Sequence, residues 1–573
     1  MTKSFKMLAK SYPALLLFLT CAILFMAPDI HAQESGLINV NPDPDGEPWI
    51  AGGITREEWD RMTADLPSLD QILSKGLAKA AAQNPPDKVD NSILPAFRPI
   101  FNQKGGSCAQ ASSVAYVFTY EINTLRGLSS NVTSNQYPYD FSYNFCNSGS
   151  GNNGSNPNQG FEIAQLCGIP DVETYGGFGL AKYTQWMHGY NKYFAAMSNR
   201  ALNQFTIKVN TTAGILQMRQ WLNDHGTGAE KGGCLVFCYN SSSSTIVTLA
   251  SGTPEGGKKA LTKFGTSGGH AVTIAGYNDS VRYDYNGDNK YTNDVDVNND
   301  RVVDVKDWEI GAVYMINSWG TSFGNSGKIY VPYRLCAETG GFWSNLVYGM
   351  RTDTTAAKPR YTYKISLSHD NRSLIRLRAG YANNGTATTP SSGTLSFGKA
   401  FNYSGGVFPM QGTSSEPIEI GLDVSRLAAN LTAPTVTFFL IIDSKGGTGK
   451  VHKFSVMDYR NGAPVETVCD QRDVEITKGS TSSIKTLTLK IVMTLGQVSV
   501  FSGTAEQRIA PRITRSGNLL SFRNAGDKVS IIRLDGSQLM LRNIGHNGTL
   551  DISDLPSGIY CAKTAAATLR FMR

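Results

Sequence analysis

Asn317-Ser-Trp-Gly-Thr-Ser-Phe-Gly-Asn-Ser-Gly327 is the stretch on which the reading of this chain turns. An asparagine leads directly into a serine, an indole and a glycine, and glycine returns at Gly324 and Gly327. Alone, such a stretch fits any turn. Two others precede it. Asn102-Gln-Lys-Gly-Gly-Ser-Cys108 ends on a cysteine, and Gly268-Gly-His-Ala-Val272 places a histidine before a β-branched run. In this order they provide a nucleophile, a base and a group to orient the base. Thiol-dependent acyl transfer needs those three parts.

The residue types suit that chemistry. Val114, Ala115, Phe118 and Ile122 repeat at helical spacing, so the spacing predicts a buried helix beginning near Cys108. The N–H groups and dipole at a helix start stabilise a thiolate. Asn317 can accept from one nitrogen of the His270 imidazole and so hold the other toward sulfur. Trp319 can cover that hydrogen bond. Gln103 or Asn102, with the Cys108 backbone N–H, can donate to the oxyanion of a tetrahedral intermediate. Singly, a Cys is most often a small core residue and a His before Ala-Val an ordinary packed one. The joint occurrence carries the reading.

These stretches resemble the motifs of the papain-like cysteine peptidases (the C1 family) over roughly residues 88 to 350. Gly106-Ser-Cys-Ala-Gln-Ala-Ser112 is similar to the nucleophile motif, and Gly269-His-Ala-Val-Thr-Ile-Ala-Gly-Tyr277 to the histidine motif. Asn317 to Gly327 is similar to the asparagine motif, its glycine spacing included. The resemblance implies a two-lobed fold and peptide-bond hydrolysis through an acyl-enzyme (thioester). It implies catalytic roles for Cys108, His270, Asn317 and a glutamine ahead of the cysteine. It implies no catalytic cofactor. There are departures. Ala109 stands where the family has an aromatic residue. Gly105 replaces a cysteine, and Asn152 stands about where its disulfide partner is expected, so both halves of that bridge are lost. Gln103 lies five residues before Cys108 and Asn102 six, where the family has its glutamine at six. We assign Gln103, with a one-residue deletion shifting the count. Gly154-Ser155 lies where the family binds substrate backbone with Gly-Gly, so Gly154, Ser155 and Trp319 are the expected substrate-binding residues.

The rest of the chain is organised around this region. Residues 1–32 are expected to be a secretory signal peptide: Lys3, Lys6 and Lys10 precede the apolar run Ala14 to Ala27, and Ile30-His31-Ala32 offers a cleavage site. Residues 33–88 are expected to be a removable propeptide, with capping-box patterns at Thr55-Arg-Glu-Glu58 and Ser68-Leu-Asp-Gln71 opening two short helices. Residues 89–352 form the expected peptidase domain, helical first and β-rich after Gly228. Residues 358–492 alternate like an antiparallel β-sandwich. There Thr437–Ile442 and Val451–Val456 flank Gly446-Gly-Thr-Gly449 as in a hairpin, and Thr486–Ile491 has strict period two. Residues 505–573 read as a small β domain, with Val529–Ile531, a turn at Asp535-Gly536, Leu550–Ile552 and Gly558–Tyr560. The fold class is therefore α+β: a helical lobe and a β lobe, then two all-β segments. The last segment, with Leu555-Pro-Ser-Gly-Ile-Tyr560 and the end Arg570-Phe-Met-Arg573, resembles the sorting domain of the bacterial type IX secretion system. That implies export across the outer membrane, secretion machinery as a partner, and a secreted or cell-surface location.

Composition agrees with an extracellular chain. Of 573 residues 58 are glycine and only 17% are charged. A net charge of +7 spread over this length is no argument for nucleic acid. Nine cysteines become eight after signal cleavage, and with Cys108 as the reactive thiol at most three disulfides can form. Cys234 and Cys238 read as core residues. Between the histidine and asparagine stretches lies an acidic insertion. Asp296, Asn298, Asp300, Asp304 and Asp307 have the spacing of an EF-hand-like loop, similar to a dockerin loop, with Arg301 where glycine is usual. Asp284-Tyr-Asn-Gly-Asp288 repeats its first half. A structural Ca²⁺ is expected there.

The expected function is a monomeric secreted cysteine endopeptidase acting on protein or peptide. Within enzymes the rival is an exopeptidase or transpeptidase on the same fold. The rival from another class is a surface-binding protein with a vestigial peptidase domain. The sandwich is expected either to bind a surface polymer or to act as a spacer.

Overall fold

The computed structural model describes residues 63, 66–73, 84–338, 343–352 and 359–495 except 392, 429 and 462. Between Arg512 and Met572 it describes the strands together with Ile552, Ser553 and Leu555. The expected signal peptide, Cys21, the pattern at Thr55–Glu58 and most of the expected propeptide lie outside the described residues. The chain divides into two compact units, Met1–Leu495 and Gly496–Arg573.

In the first unit the Cys108 helix comes first. Cys108–Gln110, Ala111–Phe118 and Thr119–Arg126 follow without a break, the middle section in wider π-helical spacing. The helix stops at Gly127, whose φ of 66° is the left-handed conformation that glycine adopts freely. Val114, Ala115, Phe118 and Ile122 are all fully buried, as the helical spacing requires. Small residues let this helix approach a sheet closely: Ser112 Oγ donates to the Ala271 carbonyl at 2.9 Å. Helices Tyr139–Cys146 and Pro157–Leu166 flank it. The second starts at a capping box of Asn156 and Gln159, with Pro157 at the first helical position.

The sheet is built from β1 (Lys88–Asp90), β2 (Ala201–Lys208), β3 (Leu235–Ser242), β4 (Thr245–Thr248), β5 (Lys259–Lys263), β6 (Ser267–Arg282), β7 (Ile310–Ile316), β8 (Lys328–Pro332) and β9 (Leu346–Thr352). Its order is β2-β9-β3-β6-β7-β8-β5-β4, and β1 pairs with β6 beyond the end of β3. The apolar runs Leu235–Phe237, Val272–Ile274 and Val313–Ile316 thus lie side by side on β3, β6 and β7. The division at Gly228 is less clean than expected. β2 precedes it and pairs with β9, because Phe205 and Ile207 alternate inward onto the same core as Trp221 and Leu235.

The pattern at Ser68–Gln71 does open a helix, Leu69–Leu73. Ser68 N–H donates to Gln71 Oε1 at 2.9 Å and Gln71 N–H to Ser68 Oγ at 3.4 Å, both arms of a capping box. Leu69 and Leu73 join the core of Phe205, Met218 and Trp221. This helix packs on β2 and on helix Thr212–Asp224, not over Cys108.

Residues 361–495 carry two further sheets in the same unit. One has the order β13 (Ile418–Asp423), β10 (Tyr361–His369), β15 (Gly449–Asp458), β16 (Val465–Val468), with β17 (Val474–Glu475) also on β15. The other has β12 (Leu395–Ser396), β11 (Ile375–Ala382), β14 (Thr435–Ser444) and β18 (Lys485–Thr494). Tyr363 joins the two: its hydroxyl donates toward the Gly380 and Phe439 carbonyls at 3.2 and 3.1 Å, and its ring meets Phe438 edge-on. On β18, Leu489, Ile491 and Met493 are buried and the residues between them exposed, as the period-two pattern predicts. The expected hairpin is corrected. β14 and β15 do not pair; they belong to different sheets. Both edges of β14 are taken, by β11 and β18. The turn with Gly446 and Gly447, at φ 148° and 76°, therefore carries the chain from one sheet to the other.

The second unit contains two sheets. One orders Arg512–Ser516, Leu519–Arg523 and Thr549–Asp551; the other orders Gln538–Asn543, Lys528–Arg533, Ile559–Lys563 and Thr568–Met572. Lys528–Arg533 pairs antiparallel with Gln538–Asn543, as a turn at Asp535-Gly536 requires, although those two residues lie outside the described set. Among the described residues no helix is long and apolar enough to cross a membrane.

Candidate active site

Cys108 occupies the first position of its helix and is 0% exposed. His270 lies near the start of β6, 1% exposed, and Asn317 directly follows β7, the neighbour of β6. Antiparallel pairing of β6 with β7 brings the two together: His270 Nε2 lies 2.9 Å from Asn317 Oδ1. With the asparagine oxygen as acceptor, Nε2 carries the proton and Nδ1 keeps a lone pair. Nδ1 is buried and has no hydrogen-bond partner of its own. Trp319 stacks on the imidazole at 4.5 Å and 25°, and Phe323 meets the indole edge-on, so the His–Asn hydrogen bond is shielded from water.

The thiol sits beside the next residue along β6. The Ala271 and Ala109 backbone N–H groups, its own N–H and the Gln103 side chain all favour its ionised form. Burial outweighs them and pushes the Cys108 thiol up to about 12. Burial likewise pulls His270 down to about 4, against the hydrogen bond it donates to Asn317 Oδ1. Neither group is easily charged alone.

Gln103 and Asn102, both open from sequence, differ sharply. Gln103 is 9% exposed and its amide is held at both ends. Nε2 donates to the Gly105 carbonyl at 2.9 Å, and Oε1 accepts from Ser318 Oγ at 2.5 Å. That fixes the amide with its N–H₂ on the Cys108 side. Asn102 is exposed and pairs only by backbone, in a bridge to Trp319. Ser318, which no motif marks as functional, is signalled in sequence only by its place between Asn317 and Trp319.

Gly154 and Ser155 lie next to this loop. A Cβ on Gly106 would come within 2.6 Å of the Asn153 carbonyl and 3.3 Å of Gly154 N. Ser155 is fully buried and its Oγ accepts from Gln110 Nε2 at 3.1 Å, so its side chain is a prop beneath the strip. Gly105 approaches Gly151 rather than Asn152, and Gly106 N–H donates to the Gly151 carbonyl at 2.7 Å. No disulfide joins Cys146, Cys167, Cys234, Cys238, Cys336 or Cys469; all six are buried thiols. The three disulfides allowed by counting are thus not formed among the described residues. Cys234 and Cys238 are core residues.

The acidic insertion lies at the far end of β6, twelve residues or about 40 Å along the strand from His270. Its two turns are built alike. Asp300 N–H lies 3.2 Å from Asp296 Oδ1 and 2.8 Å from Asn298 Oδ1; Asp288 N–H lies 3.2 Å from Asp284 Oδ1 and 3.0 Å from Asn286 Oδ1. Arg301 adopts φ 71°, the conformation for which glycine is usual at that position. Asp307, fully buried, accepts from the N–H groups of Val297, Asn298 and Asp304. Glu309 accepts from Tyr285 and Thr292 and closes the first turn. No group of three His, Cys, Asp or Glu among the described residues gathers as a metal cluster. A cavity of about 710 Å³ lies elsewhere, lined in part by Glu121, Trp221, His225 and Arg351, and holds none of the three motif residues.

No family model and no curated protein matches the chain. Solved structures similar to it include xylellain, a cysteine protease from Xylella fastidiosa, with 16% identity, a TM-score of 0.31, and coverage of 48% of this chain and 88% of that one. Another is procathepsin B S9 from Trypanosoma congolense, with 13% identity, a TM-score of 0.31, and coverage of 52% and 90%. The bromelain protease from Ananas comosus in complex with E64 shows 15% identity, a TM-score of 0.31, and coverage of 46% and 99%.

Proposed function

We propose that the protein is a papain-like cysteine endopeptidase of two lobes, hydrolysing peptide bonds at Cys108, His270 and Asn317. The observation that carries this is the His270–Asn317 hydrogen bond under Trp319, beside a cysteine at a helix start whose neighbour Gln103 is fixed at both ends. In the reaction, Cys108 gives its proton to His270 Nδ1 and its sulfur attacks the peptide carbonyl carbon. The carbonyl oxygen becomes an oxyanion, met by the Cys108 N–H and Gln103 Nε2. The C–N bond breaks, the amine leaves with the proton from His270, and a thioester remains on Cys108. Water, deprotonated by the same nitrogen, hydrolyses it and restores the thiol.

Several parts of the proposal concern the setting. The chain is secreted or surface-exposed, works as a monomer, carries residues 33–88 as a propeptide, and uses its last segment as a type IX sorting domain. A Ca²⁺ ion held by Asp296, Asn298, Asp300, Asp304 and Asp307 would neutralise the insertion and brace it without entering the chemistry. The winding of 296–302, with side-chain oxygens of Asp296 and Asn298 on one N–H, supports that assignment. An exopeptidase or transpeptidase on the same fold differs only in the cleft rim. A cleavage profile of the processed protein on a peptide library tests all three: internal cleavage supports the endopeptidase, terminal trimming the exopeptidase, and no cleavage the vestigial reading.

A further inference from the structure

We propose that the loop Phe401–Gly412, which belongs to the β10–β18 region, is a working part of the candidate site. It clamps the strip Ser148–Gly154 from outside and so holds the Cys108 loop in place. The kinetic half of this inference rests on the peptidase reading; the structural half does not.

The strip is gripped on two sides. On its outer side, a Cβ on Gly406 would sit 2.3 Å from the Ser148 carbonyl, at a φ of 79° that side chains rarely adopt. The Phe408 ring covers Gly149 so closely that a Cβ there would be 2.4 Å from Cε2. The loop itself is rigidly held. Arg372, 1% exposed, donates to the Gly405 carbonyl from Nε at 3.0 Å and Nη2 at 2.6 Å and lies over Trp186. Phe401 fills the space between Phe145, Trp186 and Tyr193.

On its inner side the strip holds the nucleophile loop. The Gly106 N–H donates to Gly151, and Gly105 approaches the Gly151 carbonyl so closely that a Cβ would be 2.3 Å from it. Tyr143 donates to the Asn153 carbonyl at 2.5 Å, and the Tyr183 ring lies against Gly151, so close that a Cβ there would be 2.2 Å from Cε2. Two pairs of facing glycines thus bring three backbone segments into direct contact, with Ser148–Gly154 in the middle. Where Gly406 meets Ser148 and Gly105 meets Gly151, backbone lies on backbone, so a shift of the outer segment passes through the strip toward Gly106, two residues from Cys108. No disulfide tethers this loop, since position 105 is glycine. The clamp supplies the restraint from outside. The β10–β18 region is then neither a spacer nor an appended binder, but a positioning element of the site.

The test uses the full chain carrying Phe408→Ala, a mild truncation, and Gly406→Ala, a backbone clash. Hydrogen exchange is read on peptides covering 103–108 and 148–154, with 361–369 as internal control. The expected result is exchange at least about 10-fold faster in the first two segments and unchanged in the control. On a peptide substrate, kcat of Phe408→Ala falls about 10-fold with KM little changed, the size expected for a displaced nucleophile. Unchanged exchange in Phe408→Ala overturns the proposal, and so does faster exchange with unchanged kcat. A wild type that cleaves no peptide counts against the peptidase reading instead, and the exchange measurement still decides the clamp.

Discussion

The proposed oxyanion donor is the part of the site where residue type and register pull apart, and the proposal has a quantitative consequence there. Gln103→Ala removes an amide placed at the thiol, while Asn102→Ala removes an exposed side chain held only through its backbone. Losing one oxyanion donor costs about 10²-fold in kcat, or about 2.7 kcal/mol of transition-state stabilisation. Gln103→Ala is therefore expected to lower kcat about 100-fold with KM nearly unchanged, because the interaction is made in the transition state. Asn102→Ala is expected to stay within about 3-fold, the range of a lost surface contact. Ser318→Ala separates presence from orientation. Its hydroxyl fixes which end of the amide faces the sulfur, so losing it is expected to cost roughly 10-fold, between the other two. Gln103→Ala also strips one partner each from the Gly105 carbonyl and Ser318 Oγ, a stability cost of about 1 kcal/mol apiece. Circular dichroism at the assay temperature checks that the variant is folded. Steady-state kinetics on one fluorogenic peptide gives all three ratios. A larger loss in Asn102→Ala than in Gln103→Ala would refute the assignment.

Other perturbations have definite outcomes. Asn317→Ala should lower kcat less than His270→Ala, since Asn317 orients the imidazole but transfers no proton; kinetics of the two variants side by side decides it. Adding Ca²⁺ to chelated protein should raise the melting temperature and slow nicking between Tyr277 and Trp308. Asp296→Ala and Asp300→Ala should remove that response; no change on adding Ca²⁺ would return the insertion to a self-capped acidic loop. The pair of half-buried His225 and buried Glu121, 2.8 Å apart, gives a pH signature. Burial pulls the His225 pKa down, but the charge and hydrogen bond of Glu121 more than reverse this and raise it. The pair's stabilisation is therefore fully present below the ordinary histidine range and lost as pH rises through the raised value. The melting-temperature gap between wild type and His225→Gln should shrink as pH rises through and above the ordinary histidine range.

Local chemistry was legible in the sequence where it depends on neighbours along the chain. The Cys108 helix stripe, the Ser68–Gln71 capping box and the alternation of β18 all need only a few residues to specify them, and each is found as read. What was hidden depends on contacts between distant segments. The turn at Gly446-Gly447 has the composition of a hairpin, but β11 and β18 already occupy both edges of β14. No local signal distinguishes those cases. The same holds for Gln103 against Asn102. Their order relative to Cys108 leaves two candidates, and only Ser318, more than two hundred residues on, tells which side chain is turned inward. Phe401 is buried among rings from residues 145 to 193, contacts that no neighbour along the chain signals. The cysteine count set only an upper limit on disulfides. Buried thiols placed singly satisfy packing without pairing, so an even or odd number carries no information about bridges here.

The central claim is that Cys108 is a nucleophile activated by His270. It is tested most directly by treating the processed protein with a thiol-reactive peptide electrophile and mapping the adduct by mass spectrometry. The account predicts stoichiometric modification of Cys108, competed by peptide substrate and lost in His270→Ala, while the buried Cys146, Cys167, Cys234, Cys238, Cys336 and Cys469 stay unmodified. An unmodified Cys108, or equal labelling in His270→Ala, would contradict it.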